Sequence, residues 1–255
     1  MEGICHICGY RKKLSFEHVP PRSAFNDRSV VFHKIEEIMT KLPDEFGRGK
    51  ILQKGSGSYT LCEKCNNDTG AWYGNAFASF AHQGMEILRL TEKTPTLFYN
   101  FFIYPLRTLK QIMCLFFSTN GPDFQSKHPE LVKFVLNKEE RYLESDVKIY
   151  LFYNLSKVVR KTGIVGVMSL EGDDKLFSEI TFPPYGYVMN FNKKPPDERL
   201  LDITSFKDYE YNSWTSLHLK IPVFSIYTQF PGDYRCEEEV KKIIAENRAK
   251  ASNAI

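Results

Sequence analysis

Four of the six cysteines in this chain fall into two pairs, Cys5-His6-Ile7-Cys8 and Cys62-Glu63-Lys64-Cys65. Two residues between cysteines let both sulfurs reach one ion. Two such pairs about fifty residues apart therefore supply the four thiolates of a structural zinc site. His6 lies between two ligands and is read as a bystander, because four cysteines already complete the set. Gly9, directly after the second cysteine, suits the tight turn that points backbone N–H groups at the thiolates. Between the pairs stands Glu17-His18-Val19-Pro20-Pro21, and Asn66 directly follows the last cysteine. Histidine is the side chain whose charge changes near neutral pH, so a carboxylate and an imidazole side by side, held near a metal staple, form the candidate chemical centre. Cys114 and Cys236 stand apart and are read as incidental thiols.

The elements that must position these residues follow from polarity and breakers. Leu14–Val19 alternates and is rich in strand formers, and Pro20-Pro21 ends it. Residues 22–58 read as an insertion. It holds a short helix over His33–Lys41, stopped by Pro43, and then a mobile surface loop marked by Gly47, Gly49, Gly55 and Gly57. Ser58–Leu61 is the returning strand. Asn66-Asn67-Asp68-Thr69 supplies helix-start chemistry for a helix whose apolar face includes Trp72, Phe77, Phe80, Ala81, Met85, Ile87 and Leu88 and which ends before Thr94-Pro95. The order is β-β-α, with the cysteine pairs bracketing it.

This arrangement resembles the HNH (ββα-metal) endonucleases, in particular the zinc-stapled members. The matching residues are Cys5, Cys8, Glu17, His18, Pro20, Cys62, Cys65 and Asn66, within residues 3–90. The resemblance implies that His18 is the general base that takes a proton from the attacking water. It implies that Glu17 and Asn66 ligate one catalytic divalent ion, Mg²⁺ or Mn²⁺, which prefers oxygen donors. The substrate implied is DNA, with RNA left open, and the family's associations are restriction and phage defence. Glu17 stands where the family usually has Asp, and Asn66 where it usually has a final histidine. Asn26 is the candidate for the middle asparagine that supports the histidine loop. Neighbouring strand residues point to opposite faces, so Glu17 and His18 converge on one site only if the strand is distorted there. Arg22, just after the prolines, is a candidate phosphate contact. His82 is weighed as a residue facing the site or simply packing, and His33, His128 and His218 as surface or structural residues.

The rest of the chain bounds the setting. Hydrophobic residues make up 42% and charged residues 25%, ordinary for a globular protein, and the 14% aromatic share favours a well-filled core. A net charge of +3 neither requires nor forbids a nucleic-acid partner. No apolar run approaches the roughly 18 residues that span a bilayer; with no leader pattern at Met1-Glu2-Gly3, the expectation is a cytoplasmic protein without a membrane partner. Helices are predicted over Pro105–Phe117 and from Pro129 to Leu143. Strands are predicted over Val147–Leu155, Ile164–Leu170, Leu176–Pro183, Tyr187–Phe191 and Leu217–Tyr227, and a terminal helix over Asp233–Asn253. The fold expected is α+β: a zinc-stapled ββα-metal module over 1–90, then helices and an antiparallel β-rich unit over 91–255. The second unit could select substrate, form a homodimer or meet a regulatory protein. The competing reading is a non-catalytic zinc-binding module for nucleic-acid or protein contacts.

Overall fold

The structure, a computed structural model, describes residues 1–33, 35–90, 94–168, 174–191 and 194–252. Its architecture is α+β, with a small cysteine-bearing sheet and a larger, mostly antiparallel one on either side of a buried helix. The small sheet has the order β1 (Glu2–Ile4), β2 (Arg11–His18), β5 (Gly57–Cys62). β1 pairs with Arg11–Lys13 and its register ends there, apart from Leu14 N donating to Met1 O. From Ser15 onward that edge of β2 has no partner strand among the described residues. On the other edge Ser15 faces Leu61 and Phe16 faces Tyr59, leaving Thr60 as the extra residue of a β-bulge. Gly57, opposite His18, has no room for a side chain: a Cβ would run into the Glu17 carbonyl oxygen and the Phe16 ring.

Between β2 and β5 the expected helix is present as α1 (Ile35–Thr40), but the expected glycine-rich loop is partly ordered as strand. β3 (Val30–Phe32) and β4 (Lys50–Leu52) form a two-stranded ribbon. Three-residue strands are too short for alternation to announce them. After β5 the helix starts earlier than predicted. Cys62 is its N-cap and α2 spans Glu63–Thr69, so Asn66 lies inside the helix, and Asp68 pairs with Lys64 at 2.6 Å instead of capping. A π-helical stretch, Gly70–Gly74, joins α2 to α3 (Asn75–Leu90).

The larger sheet runs β6 (Thr96–Ile103), β12 (Thr215–Phe224), β7 (Lys148–Asn154), β10 (Tyr185–Asn190), β9 (Lys175–Phe182), β8 (Arg160–Val167), with β11 (Leu201–Asp202) also on β7. All five predicted strands are there, and β6 and β11 are additional. One pairing, β12 with β7, is parallel. The final residues of two predicted elements, 169–170 and 253, lie outside the described residues. α4 (Pro105–Thr119) is buried along most of its length and fills the space between the sheets. α5 (Phe124–Lys127) and α6 (Pro129–Leu136) follow. α6 stops well short of the predicted Leu143. The Lys110 ammonium donates to the carbonyls of Phe134, Asn137 and Glu140, capping the end where the chain leaves the helix. α7 (Glu237–Ser252) closes the described chain.

One buried cluster runs from Cys5, Leu61 and Phe77 through Phe116 to Tyr187 and Ile221, crossing the expected boundary at residue 90 without a break. Polar contacts tie the same parts together: Tyr73 Oη donates to Val135 O at 3.0 Å, and Tyr185 stacks on Phe80 at 4.6 Å. Tyr185 lies so close to Gly84 that any side chain there would meet its ring.

Candidate active site

The four cysteines converge. Cys5 and Cys8 come from the β1–β2 loop, Cys62 from the end of β5 and Cys65 from α2, and their sulfurs all lie within 4.8 Å of one another. A tetrahedral zinc with Zn–S near 2.3 Å sets its sulfurs about 3.8 Å apart; Cys8 and Cys62 stand at 3.9 Å. The Cys62 amide donates to Cys5 Sγ at 3.3 Å, and Gly9 turns the knuckle at φ 72°. Hydrogen bonding to Cys65 holds the Cys5 thiol below the ordinary thiol range, while Cys5 and burial push Cys65 up and burial raises Cys8, so the sulfurs share protons as one set that a metal ion would displace. These residues fit a structural zinc ion. His6 stands outside the cluster, its Nδ1 3.1 Å from Phe117 O, and so ties the knuckle to α4.

Glu17 is 9% exposed, and burial pushes its carboxyl up to about 7, with the Asn66 amide pulling it partway back. Asn66 Nδ2 donates to Ser15 Oγ at 3.0 Å, and Ser15 Oγ donates to Leu61 O at 3.1 Å. Ser15 and Glu17 lie two apart on one face of β2, so α2 lays Asn66 across both. No cation among the described residues pairs with Glu17. A buried carboxylate, an amide and a hydroxyl make a hard-donor set that fits a divalent ion.

His18 is half-buried. Its Nε2 lies 3.0 Å from Lys54 O, so the ring's proton sits on Nε2 and Nδ1 is left as the acceptor. Burial lowers its pKa, the Lys54 carbonyl opposes this, and the Arg22 guanidinium nearby lowers it further. The net effect favours the neutral imidazole. Arg22 itself is exposed, in the short 3₁₀ turn Arg22–Ala24.

The strand does not bring Glu17 and His18 to one face. His18 packs edge-on to Phe16 at 4.9 Å and Phe16 to Tyr59 at 5.4 Å, so these three share the outer face. Glu17 shares the inner face with Ser15 and its ladder partner Ser58. The bulge falls on β5 and leaves the alternation of β2 intact, so the distortion expected at Glu17-His18 is not there. The two side chains instead project from opposite faces of β2.

Asn26 is fully buried. It donates to Pro20 O and Ser56 O, each at 2.7 Å, and accepts from Ser56 N at 2.8 Å. It thereby locks the exit of β2 to the entry of β5, on either side of His18. His82 packs: Nε2 is 2.9 Å from Ser23 O and the ring lies 4.6 Å from Phe25, holding the Arg22 turn against α3. His33, His128 and His218 meet Glu37, Glu144 and Asn100. Cys114 is buried below Glu17 and beside Thr69, and Cys236 is half-buried; both are free thiols. A cavity of about 610 Å³ lies elsewhere, between residues 38–46 and 228–248, and none of the site residues lines it.

Ser15, the Lys54 carbonyl and Lys161, which bonds Ser58 from β8, are parts of the surroundings that spacing does not announce. Only Ser15 had a signal, its two-residue offset from Glu17. In comparison with known proteins, no family model matches the chain, and no similar curated protein or solved structure is found. Among the described residues no helix is long and apolar enough to cross a membrane.

Proposed function

We propose that this chain is a metal-dependent endonuclease of the HNH (ββα-metal) type that hydrolyses phosphodiester bonds in DNA. The observation that carries the reading is the buried Glu17 carboxyl, with no paired cation among the described residues, against Asn66 and with the His18 imidazole on the other face of the same strand, on a β-β-α unit bracketed by four clustered cysteines.

In-line displacement at phosphorus puts the attacking water and the leaving oxygen on opposite sides. Glu17 and His18 project from opposite faces of β2, a placement compatible with that demand if the phosphate sits at the strand's edge. His18 Nδ1 takes the proton as the water oxygen bonds to phosphorus. The P–O3′ bond breaks, and the departing 3′-oxygen takes a proton from solvent, leaving 5′-phosphate and 3′-hydroxyl ends. Glu17 and Asn66 would hold one Mg²⁺ or Mn²⁺, which supplies charge stabilisation to the phosphoryl and leaving oxygens. Asn26 keeps the histidine segment fixed, Arg22 meets a phosphate at the exposed rim, and the four cysteines hold zinc as a staple with no chemical part.

The opposite faces of Glu17 and His18 are also what a non-catalytic zinc-stapled binding module would tolerate. Plasmid DNA incubated with purified protein and Mg²⁺ or Mn²⁺, beside His18→Ala and Asn66→Ala, separates the two. The nuclease reading expects cleavage that falls roughly 10²- to 10⁴-fold in His18→Ala. Wild type as inert as both variants, on duplex, branched and single-stranded DNA and on RNA, leaves the binding module.

A further inference from the structure

Lys110 is fully buried and Lys161 is half-buried, and the two are treated differently. Lys110 gives its donors to three carbonyls at the end of α6 and is complete. Lys161, on the edge strand β8, has one partner, Ser58 Oγ at 2.9 Å. An ammonium has three donors, and no carboxylate among the described residues pairs with this one. Burial lowers its pKa. A partly buried ammonium without a counter-charge costs stability unless an anion arrives from outside.

Its position says which anion. Ser58 is the ladder partner of Glu17, and partners in an antiparallel ladder project from the same face. Lys161 is therefore delivered, from more than a hundred residues away in the chain, to the Glu17 side of the small sheet.

We propose that Lys161 holds a non-bridging phosphate oxygen of the substrate backbone on the Glu17 side of β2, so that the large sheet contributes a substrate-positioning residue. This rests on the nuclease reading of the Glu17–His18 site. Lys161 touches phosphate on one side of the strand and Arg22 on the other, which brackets the backbone as it crosses the edge. The chemistry is a charge-assisted hydrogen bond, which tells phosphate from uncharged ligands but not one base from another.

The test compares Lys161→Met, Lys161→Arg and Ser58→Ala with wild type in cleavage kinetics, in duplex binding across a salt series, and in melting. For Lys161→Met the expectation is a KM raised about tenfold with kcat moving less. The slope of log affinity against log salt should become shallower by about one. The melting temperature should be unchanged or higher, since an uncompensated charge is gone. Lys161→Arg should restore most of the affinity. Unchanged KM and salt slope, with a lower melting temperature in both Lys161→Met and Ser58→Ala, would make Lys161 a structural tie and overturn the proposal. The nuclease reading is judged separately by His18→Ala. If wild type does not cleave, the binding series still decides: affinity lost in Lys161→Met supports the phosphate contact, and equal affinity, or no binding by wild type, overturns it.

Discussion

Glu17 and Glu179 are both buried glutamates on strands, and they are opposites in every other respect. Glu179, on β9, accepts from Arg160 Nη1 at 2.9 Å, Thr181 Oγ1 at 2.7 Å, Gly232 N at 2.8 Å and Tyr234 Oη at 3.2 Å. Arg160 in turn donates to Thr228 O and Asp233 O at 2.7 and 2.6 Å, so the network pins the 228–234 loop to the large sheet; only its Nε lacks a partner. Glu17 has the Asn66 amide beside it, and no cation among the described residues forms an ion pair with it. Leaving a charge buried and unpaired is costly, so the fold completes one glutamate and leaves the other open, and the proposed metal site rests on that difference.

The comparison depends first on the staple that holds Glu17 in place. Cys62→Ser should lose zinc and unfold the N-terminal sheet, seen as a loss of bound zinc with a loss of ordered circular dichroism. A folded, zinc-free variant would count against the cysteine cluster as the organiser. Next, Arg160→Met strands Glu179 without its partner and should destabilise by about 3–5 kcal/mol in denaturant titration. A change below about 1 kcal/mol would mean that the network is not what holds the loop.

Glu17→Gln should go the other way. The Glu17 carboxyl is raised from the ordinary carboxylate range to about 7. The stability it contributes is fully present below the ordinary range, about pH 4.5, and is lost as pH rises through about 7. In zinc-loaded protein without other divalent ions, Glu17→Gln should therefore match wild type near pH 4.5 and be more stable by up to about 3 kcal/mol at pH 8. Parallel stability curves across that window would erase the contrast between the two glutamates. The smallest effect belongs to Ser15→Ala, which removes the hydroxyl that seats Asn66. About 1 kcal/mol of stability is expected to go, with metal affinity reduced and cysteine-bound zinc unchanged.

The parts of this arrangement carried by local rules could be read from the sequence. Cys-x-x-Cys spacing announced the cluster, alternation over Leu14–Val19 announced β2, and β-branched and aromatic runs between breakers announced five strands of the large sheet. What depends on distant pairing could not. β3 and β4 are stabilised by each other, and each alone is three residues with no pattern. The early end of α6 depends on Lys110, one helix away. The face of His18 was legible from alternation, which sets it opposite Glu17 unless the strand is distorted; the bulge lies at Thr60 on β5, across the ladder, and β2 keeps its alternation. Asn26 was nameable inside its loop, but its work, joining Pro20 to Ser56, is visible only once β2 and β5 pair. Lys161 had no signal at all, since its relation to Glu17 passes through a serine in another sheet.

The claim that Glu17 and Asn66 form a divalent-ion site can be tested without turnover. Calorimetric titration of Mn²⁺ into zinc-loaded protein at pH 7.5 should show one site in wild type, lost in Glu17→Gln and weakened in Asn66→Ala. A wild type that takes up no Mn²⁺, or a Glu17→Gln protein that binds it equally well, would contradict the account.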